Sequence, residues 1–217
     1  MIDRTRVGVL ISGRGSNLQA LIDACRSCDY PATIACVVSN VAGVEGLGRA
    51  ERAGITTHTV PHTAYNSRKA FDDAIDQVLR ASNATLVCLA GFMRVLSDSF
   101  VLKWHGRLVN IHPSLLPGFK GLNVHRRVIE AGARISGCSV HFVVPELDSG
   151  PIIAQAAVPV WPGDTPDSLA SRTLAAEHKL YPLALRLLAE GRVALDGQSV
   201  HFRDVGEAGG ELFSPPL

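Results

Sequence analysis

No apolar run in this chain approaches the ~18–20 residues that a membrane-spanning helix needs. The first residues, Met1-Ile2-Asp3-Arg4-Thr5-Arg6, lead into an apolar strand without the long apolar stretch and cleavage site of an export signal. Neither sign of charge is in useful excess. The 21 Lys and Arg against 20 Asp and Glu leave a formal +1, which gives no bulk attraction to nucleic acid or an anionic membrane. Cysteine is limited to positions 25, 28, 36, 88 and 138, an odd number, so reduced thiols in a cytoplasmic protein are the expectation. Cys25-x-x-Cys28 lacks a second pair at zinc-ribbon spacing and closes a predicted helix instead of opening one, which argues against metal or redox chemistry. His58 and His62 stand four apart, but on strand and then proline, so no shared metal is expected. No internal repeat and no linker divides the 217 residues. With 47% hydrophobic and 19% charged residues, they suit a globular chain with a sizeable core.

What is present is an alternation. Residues 6–11 read as a short buried strand, followed by Ser12-Gly13-Arg14-Gly15-Ser16-Asn17 and then Leu18, Leu21, Ile22 and Cys25 at helical spacing. In such a strand–glycine loop–helix unit the backbone turns sharply, and the helix N-terminus offers N–H groups to an anion. Ser16 and Asn17 can cap the helix or bond phosphate oxygens. A monophosphate suits the loop better than a dinucleotide: the third fingerprint glycine is missing, and Val38-Ser39-Asn40 supplies no acid for a ribose. The plain alternative is a turn that needs glycine and holds nothing. Strands at 33–39, 56–60 and 85–90 alternate with helical patterns at 44–53, ended by Gly54, and from the predicted N-cap Ser67 onward. Arg68 and Lys69 lie in the first turn of that helix, where the dipole disfavours cations unless an anion faces them.

Leu108-Val109-Asn110-Ile111-His112-Pro113 forms the next strand. Residues two apart on a strand share a face, and Pro113 favours extended backbone at His112. An amide and an imidazole on one face at a strand end make a candidate acid/base and oxyanion site. Beyond it, residues 125–131 read as a helix, 137–144 and 152–160 as strands, and Pro145 to Pro151 as a loop. A long helix starts at Pro166, with Pro182 expected to kink or interrupt it. A hairpin turns at Asp196-Gly197, and residues 206–217 read as a loose tail. The alternation predicts an α/β, doubly wound, mostly parallel sheet with a mixed C-terminal part and a small hairpin.

Five segments stand in a distinctive order and spacing. They are Ile11-Ser12-Gly13-Arg14-Gly15-Ser16-Asn17-Leu18-Gln19, Leu89-Ala90-Gly91-Phe92-Met93-Arg94, the strand through His112 to Pro117, Glu146-Leu147-Asp148-Ser149-Gly150-Pro151, and Ala176-Glu177-His178-Lys179-Leu180-Tyr181-Pro182. Together they resemble the phosphoribosylglycinamide formyltransferase family over about residues 6–200. That resemblance implies a single Rossmann-like formyltransferase domain over 1–217. Its nucleotide-binding half would be about 6–105, and its folate and catalytic half about 106–203. The implied reaction passes the formyl group of 10-formyltetrahydrofolate to the amine of 5-phosphoribosylglycinamide. Asn110, His112 and Asp148 match the family's catalytic positions. Gly15, Ser16 and Asn17 match its nucleotide-substrate loop, and Glu177 a residue that binds the ribose. Arg68, Met93, Arg94, Val95, Leu96, Val144, Pro145, Glu146, Leu147 and Asp148 match positions lining its folate site. No metal, nucleic acid or membrane partner is implied, and a homodimer is left open.

Taken singly, the catalytic candidates have plainer readings: a structural histidine, a turn aspartate and an asparagine satisfied inside the sheet. Glu177 would ordinarily face solvent, and His125, His141, His178 and His201 carry no argued role. Three positions depart from the family pattern. Leu174 stands where a side chain near the substrate phosphate usually donates, Asn123 where a histidine is often seen, and Pro145, without an N–H, where a polar residue is common. Two relatives of the reaction are alternatives. A methionyl-tRNA formyltransferase is expected to carry a C-terminal tRNA-binding domain, and a 10-formyltetrahydrofolate hydrolase an N-terminal regulatory domain. A non-catalytic nucleotide-binding module is the reading from another class.

Overall fold

The computed structural model describes residues 4–197, 199–204, 206 and 214. Along the chain run β1 (Thr5–Ile11), α1 (Ser16–Cys25), β2 (Ala32–Ser39), α2 (Glu45–Arg52), β3 (Thr57–Thr59), α3 (Arg68–Ala81), β4 (Leu86–Leu89) and α4 (Asp98–Lys103). There follow β5 (Leu108–His112), α5 (Val124–Glu130), β6 (Ile135–Phe142), β7 (Ile152–Pro159), α6 (Pro166–Ala189), β8 (Val193–Asp196) and β9 (Ser199–Phe202). Seven strands take the order β3-β2-β1-β4-β5-β6-β7, and β8 pairs with β9 in a separate hairpin. Pairings from β3 through β5 are parallel, while β6–β7 and β8–β9 are antiparallel. This is the mostly parallel α/β sheet that the alternation predicts. The chain forms two compact units, Met1–Asn110 with Phe142–Pro145, and Ile111–His141 with Glu146–Leu217.

In the first unit, Leu10 of β1 lies opposite Leu89 of β4, and Leu89 opposite Asn110 of β5. The carboxyl ends of these strands are therefore level. Strand order reverses beside β1, with β2 and β3 on one side and β4 and β5 on the other. Open α/β sheets leave a crevice for ligands at such a reversal. A core of Leu10, Val38, Phe71, Ile75, Leu79, Val87, Phe100, Trp104 and Leu108 lies under the helices. Each such side chain contributes about 1.5–3 kcal/mol by leaving water. Trp104 Nε1 donates to Asp76 at 3.0 Å. Burial alone would raise the Asp76 pKa, but the bonds from Arg80, Lys103 and Trp104 outweigh it and lower it.

The second unit packs Val124 and Val128 of α5 and Leu169 of α6 against Val158 and Val160. The α6 N-terminus is locked by a capping box between Thr165 and Ser168. Asp164 joins it, accepting from Arg172 at 2.8 and 2.9 Å and from the Trp161 N–H at 2.8 Å, while the Arg172 guanidinium stacks 3.6 Å over the Trp161 ring. The expected interruption at Pro182 does not occur. The 24-residue helix runs through it because Leu180, Tyr181, Ala184 and Leu185 around the proline are buried, and packing overrides local propensity. Helix α4, at six residues, carries too little periodicity to be read from the sequence. Except for Gly206 and Ser214, the expected tail lies outside the described residues. Among the described residues no helix is long and apolar enough to cross a membrane.

Candidate active site

The glycine loop sits at the carboxyl end of β1. Gly15 is the N-cap of α1, in the left-handed region at φ 68°, and has no side chain with which to cap. Ser16 therefore opens the helix instead of capping it, and a cap is not what holds the loop. Helix α2 braces it from below. Gly46 N–H donates to the Gly13 carbonyl at 3.1 Å, and Arg49 Nε to the Arg14 carbonyl at 2.9 Å. The packing is close enough that a Cβ on Gly15 would stand 2.7 Å from Gly46 Cα, and a Cβ on Gly46 2.9 Å from the Gly13 oxygen. Gly46 is thus as much a part of the loop's packing as Gly15, although no local pattern in the sequence marks it. Asn17 is buried and Ser16 half-buried. What results is a rigid turn whose helix N-terminus is free of a capping side chain, suited to an anionic oxygen.

Facing the same edge, the loop after β4 carries Met93, Arg94 and Val95, all exposed, and Leu96, whose side chain is buried in the first unit's core. Exposed apolar side chains at Met93 and Val95 suit contact with a flat ring. Asp72 Oδ2 accepts the Ser97 N–H at 2.6 Å and fixes the far end of this loop. Ser67 caps α3 as expected, accepting the Ala70 N–H at 3.1 Å, and Arg68 is exposed at the first helical position. Lys69 pairs with Asp73 on its own helix at 2.6 Å, which answers its charge without an external anion. Val144 is half-buried and Pro145 exposed just after β6.

Strand β5 carries Asn110 and then His112 two residues on, as the spacing predicts. In the second unit His112 is buried, and its Nδ1 stands 3.4 Å from Asp148 Oδ2. Its Nε2 lies 3.1 Å from the Phe119 carbonyl. Both ring nitrogens face acceptors, so both contacts become hydrogen bonds only when the ring carries two N–H groups. Asp148 has φ 48°, a left-handed value that a non-glycine residue adopts at some cost. That backbone turns the carboxylate inward, where Oδ2 also accepts the Gly121 N–H at 2.9 Å. Glu146 and Leu147, which precede it, are exposed.

Two parts of this arrangement escaped sequence reasoning. His141, 2% exposed, places Nε2 3.9 Å from Asp148 Oδ1. Its only signal was alternation with Val140 and Phe142. The loop from Pro117 to Gly121 is the other part, and it is gathered onto the same side chains. Ser114 Oγ donates to the Gly118 carbonyl at 2.6 Å, His112 meets Phe119, and Asp148 holds Gly121. Behind it Ser139 Oγ accepts the Leu116 N–H at 3.0 Å and donates to the Ser114 carbonyl at 2.7 Å. On α5, burial and then the neighbouring His112 charge lower the His125 pKa. Glu177 is buried in α6, not solvated as an isolated helix glutamate would be. It helps burial push the Cys138 thiol up to about 12. Leu174 is half-buried one turn before it. All five cysteines are free thiols. Among the described residues no group of three or more His, Cys, Asp or Glu could hold a metal ion.

Residues 5–185 match the family model described as formyl transferase. The chain is similar to phosphoribosylglycinamide formyltransferase of Escherichia coli, 49% identical over 197 residues covering 88% of this chain and 93% of that protein. It is also 55% identical over 192 residues to the human trifunctional purine biosynthetic protein adenosine-3, covering 88% of this chain but 19% of that protein. The chain thus spans about a fifth of the length of such trifunctional relatives. Among solved structures, glycinamide ribonucleotide transformylase 1 of Symbiobacterium toebii superposes with a TM-score of 0.91 at 48% identity, over 94% of this chain and 96% of that one.

Proposed function

The chain belongs to the formyl transferase family, and on that premise we propose that it transfers the formyl group of 10-formyltetrahydrofolate to the amine of 5-phosphoribosylglycinamide in de novo purine biosynthesis. The observation that carries the reading is the His112–Asp148 pair, 3.4 Å apart, at the end of the strand that bears Asn110. It supplies the donors and the proton carrier that acyl transfer to an amine requires. We read the chain as one formyltransferase domain. Its glycine loop (Gly15, Ser16, Asn17) with Glu177 would take the ribonucleotide. Arg68, the segment 93–96 and the segment 144–148 would take the folate. A cytoplasmic location and freedom from metal, nucleic acid and membrane belong to the same reading, and a homodimer is compatible with it.

The folate supplies the formyl carbon, and the chain's residues manage charge and protons around it. Asn110 Nδ2 and the protonated His112 ring bear the negative charge that develops on the formyl oxygen as the neutral amine attacks. His112 then releases a proton to the departing folate nitrogen. The amine gives up one proton on becoming an amide, which water relays to restore the imidazolium, so the protons balance. Asp148 stabilises that imidazolium and fixes its orientation. During turnover the Phe119 carbonyl must yield Nε2 to the reacting groups.

The test is to incubate the purified chain with both substrates, without added metal. Formylated ribonucleotide is the expected product. Release of formate alone, at a rate independent of the ribonucleotide, would transfer the reading to the hydrolase.

A further inference from the structure

Ser12 follows β1 directly, and its side chain joins two loops that the reading above assigns to different substrates. Its Oγ lies 2.8 Å from the Met93 backbone N and 2.5 Å from Asn40 Oδ1. Backbone reinforces the junction, with the Ser12 N–H donating to the Gly91 carbonyl at 3.1 Å. Asn40, 3% exposed, turns its Nδ2 to His62 Nδ1 at 3.1 Å. His62 Nδ1 also lies 3.2 Å from the Asn40 carbonyl, so it bonds to Asn40 in either tautomer.

The roles along this line follow from one end. A backbone N–H can only donate, so Ser12 Oγ accepts from Met93. Its own O–H must then donate, so Asn40 presents its oxygen and leaves its N–H₂ for His62. From the Met93 N–H to the Asn40 amide each atom has one role, and removing the hydroxyl breaks two bonds at once. The Met93 N–H loses its acceptor, and the buried Asn40 oxygen loses its donor. The junction lies at the reversal of strand order, where β1, β2 and β4 end side by side. Met93 is 71% exposed, so core packing does not hold its side chain.

We propose that Ser12, oriented by Asn40, is a positioning residue. It fixes the Met93 backbone against the glycine loop and thereby sets the affinity for the formyl donor. The inference rests on the formyl-transfer reading for its substrate, but the anchor itself can be judged without turnover.

The full chain is compared as wild type, Ser12→Ala and Ser12→Thr, with both substrates varied and Met93 amide exchange followed without substrates. Ser12→Ala is expected to raise KM for 10-formyltetrahydrofolate about tenfold and KM for the ribonucleotide less than about threefold. It should also speed exchange at Met93, while Ser12→Thr, which keeps the hydroxyl, restores both. An unchanged formyl-donor KM, an equal rise in both KM values, a threonine variant as impaired as alanine, or equal Met93 exchange in wild type and Ser12→Ala overturns the proposal. If the wild type transfers no formyl group, the substrate reading fails while the exchange comparison still decides the anchor. If Ser12→Ala does not fold, wild-type exchange decides alone: a Met93 amide exchanging as fast as an unstructured one overturns the anchor, and a protected one supports it.

Discussion

Around Gly13 and Gly15 the chain is held by sterics, a backbone bond and the permanently charged Arg49 guanidinium, with Gly46 of α2 packed against it so closely that neither Gly15 nor Gly46 has room for a Cβ. Around Phe119 and Gly121 the backbone is held by side chains: Ser114, His112 and Asp148 each take one bond from that loop. The first arrangement has no titrating member and does not have to change for a ligand to bind. In the second, the groups proposed for the chemistry also hold the loop, so substrate must exchange bonds with it. The glycine loop suits affinity, and the His112 loop suits control of when the reacting groups are released.

The contrast breaks most visibly at His112. His112→Ala should lower turnover by ~10²-fold or more, the usual scale for an acid/base group, and a near-normal rate would remove His112 from the mechanism. Asp148→Asn should come next. The amide can still accept the Gly121 N–H but cannot balance an imidazolium, so kcat should fall about tenfold or more with KM for the ribonucleotide little changed. A purely structural Asp148 would give the opposite split. Gly46→Ala sharpens the other side of the comparison. Its methyl presses on the glycine loop without being proposed to touch ligand, so KM for the ribonucleotide should rise about tenfold while kcat at saturation holds. Equal loss in both parameters would mean the loop also serves the chemistry.

Asp164, which makes none of the bonds that hold either loop, gives the smallest effect on activity. Asp164→Asn should leave kcat intact and cost about 1–3 kcal/mol of stability, the scale for lost charge-assisted bonds, read by denaturant unfolding. Arg172, followed by the Ser168 and Trp161 bonds, holds the Asp164 carboxyl far below the usual carboxylate range. A depressed folded pKa contributes stability that is fully present above the unfolded value of about 4 and is lost as pH falls through the folded value. The wild-type advantage over Asp164→Asn should therefore shrink only below about pH 4. An advantage already lost near neutral pH would contradict that assignment.

What was legible in the sequence was periodic or punctuated. The strand–glycine–helix unit, the Ser67 cap, and Asn110 and His112 two apart on β5 are local patterns, and each is present. Asp148 could be placed in a loop, but not aimed, because its inward turn depends on a left-handed backbone that residue type alone does not dictate. Gly46, Asn40 and His141 were not legible as site residues. Gly46 and Asn40 act through partners 22 to 33 residues away in sequence, and His141, though close to Asp148 along the chain, meets it only once the loop after β6 has turned back. Pro182 shows the converse, a local signal for interruption across which the helix nevertheless continues, with the buried face of α6 packed around it.

The most direct test follows the label from the formyl carbon of 10-formyltetrahydrofolate in a single turnover, with the ribonucleotide amine and water competing as acceptors. The proposed function predicts label in the formylated ribonucleotide and little in free formate, with transfer lost in His112→Ala. Label appearing in formate at the same rate with and without the ribonucleotide would contradict it.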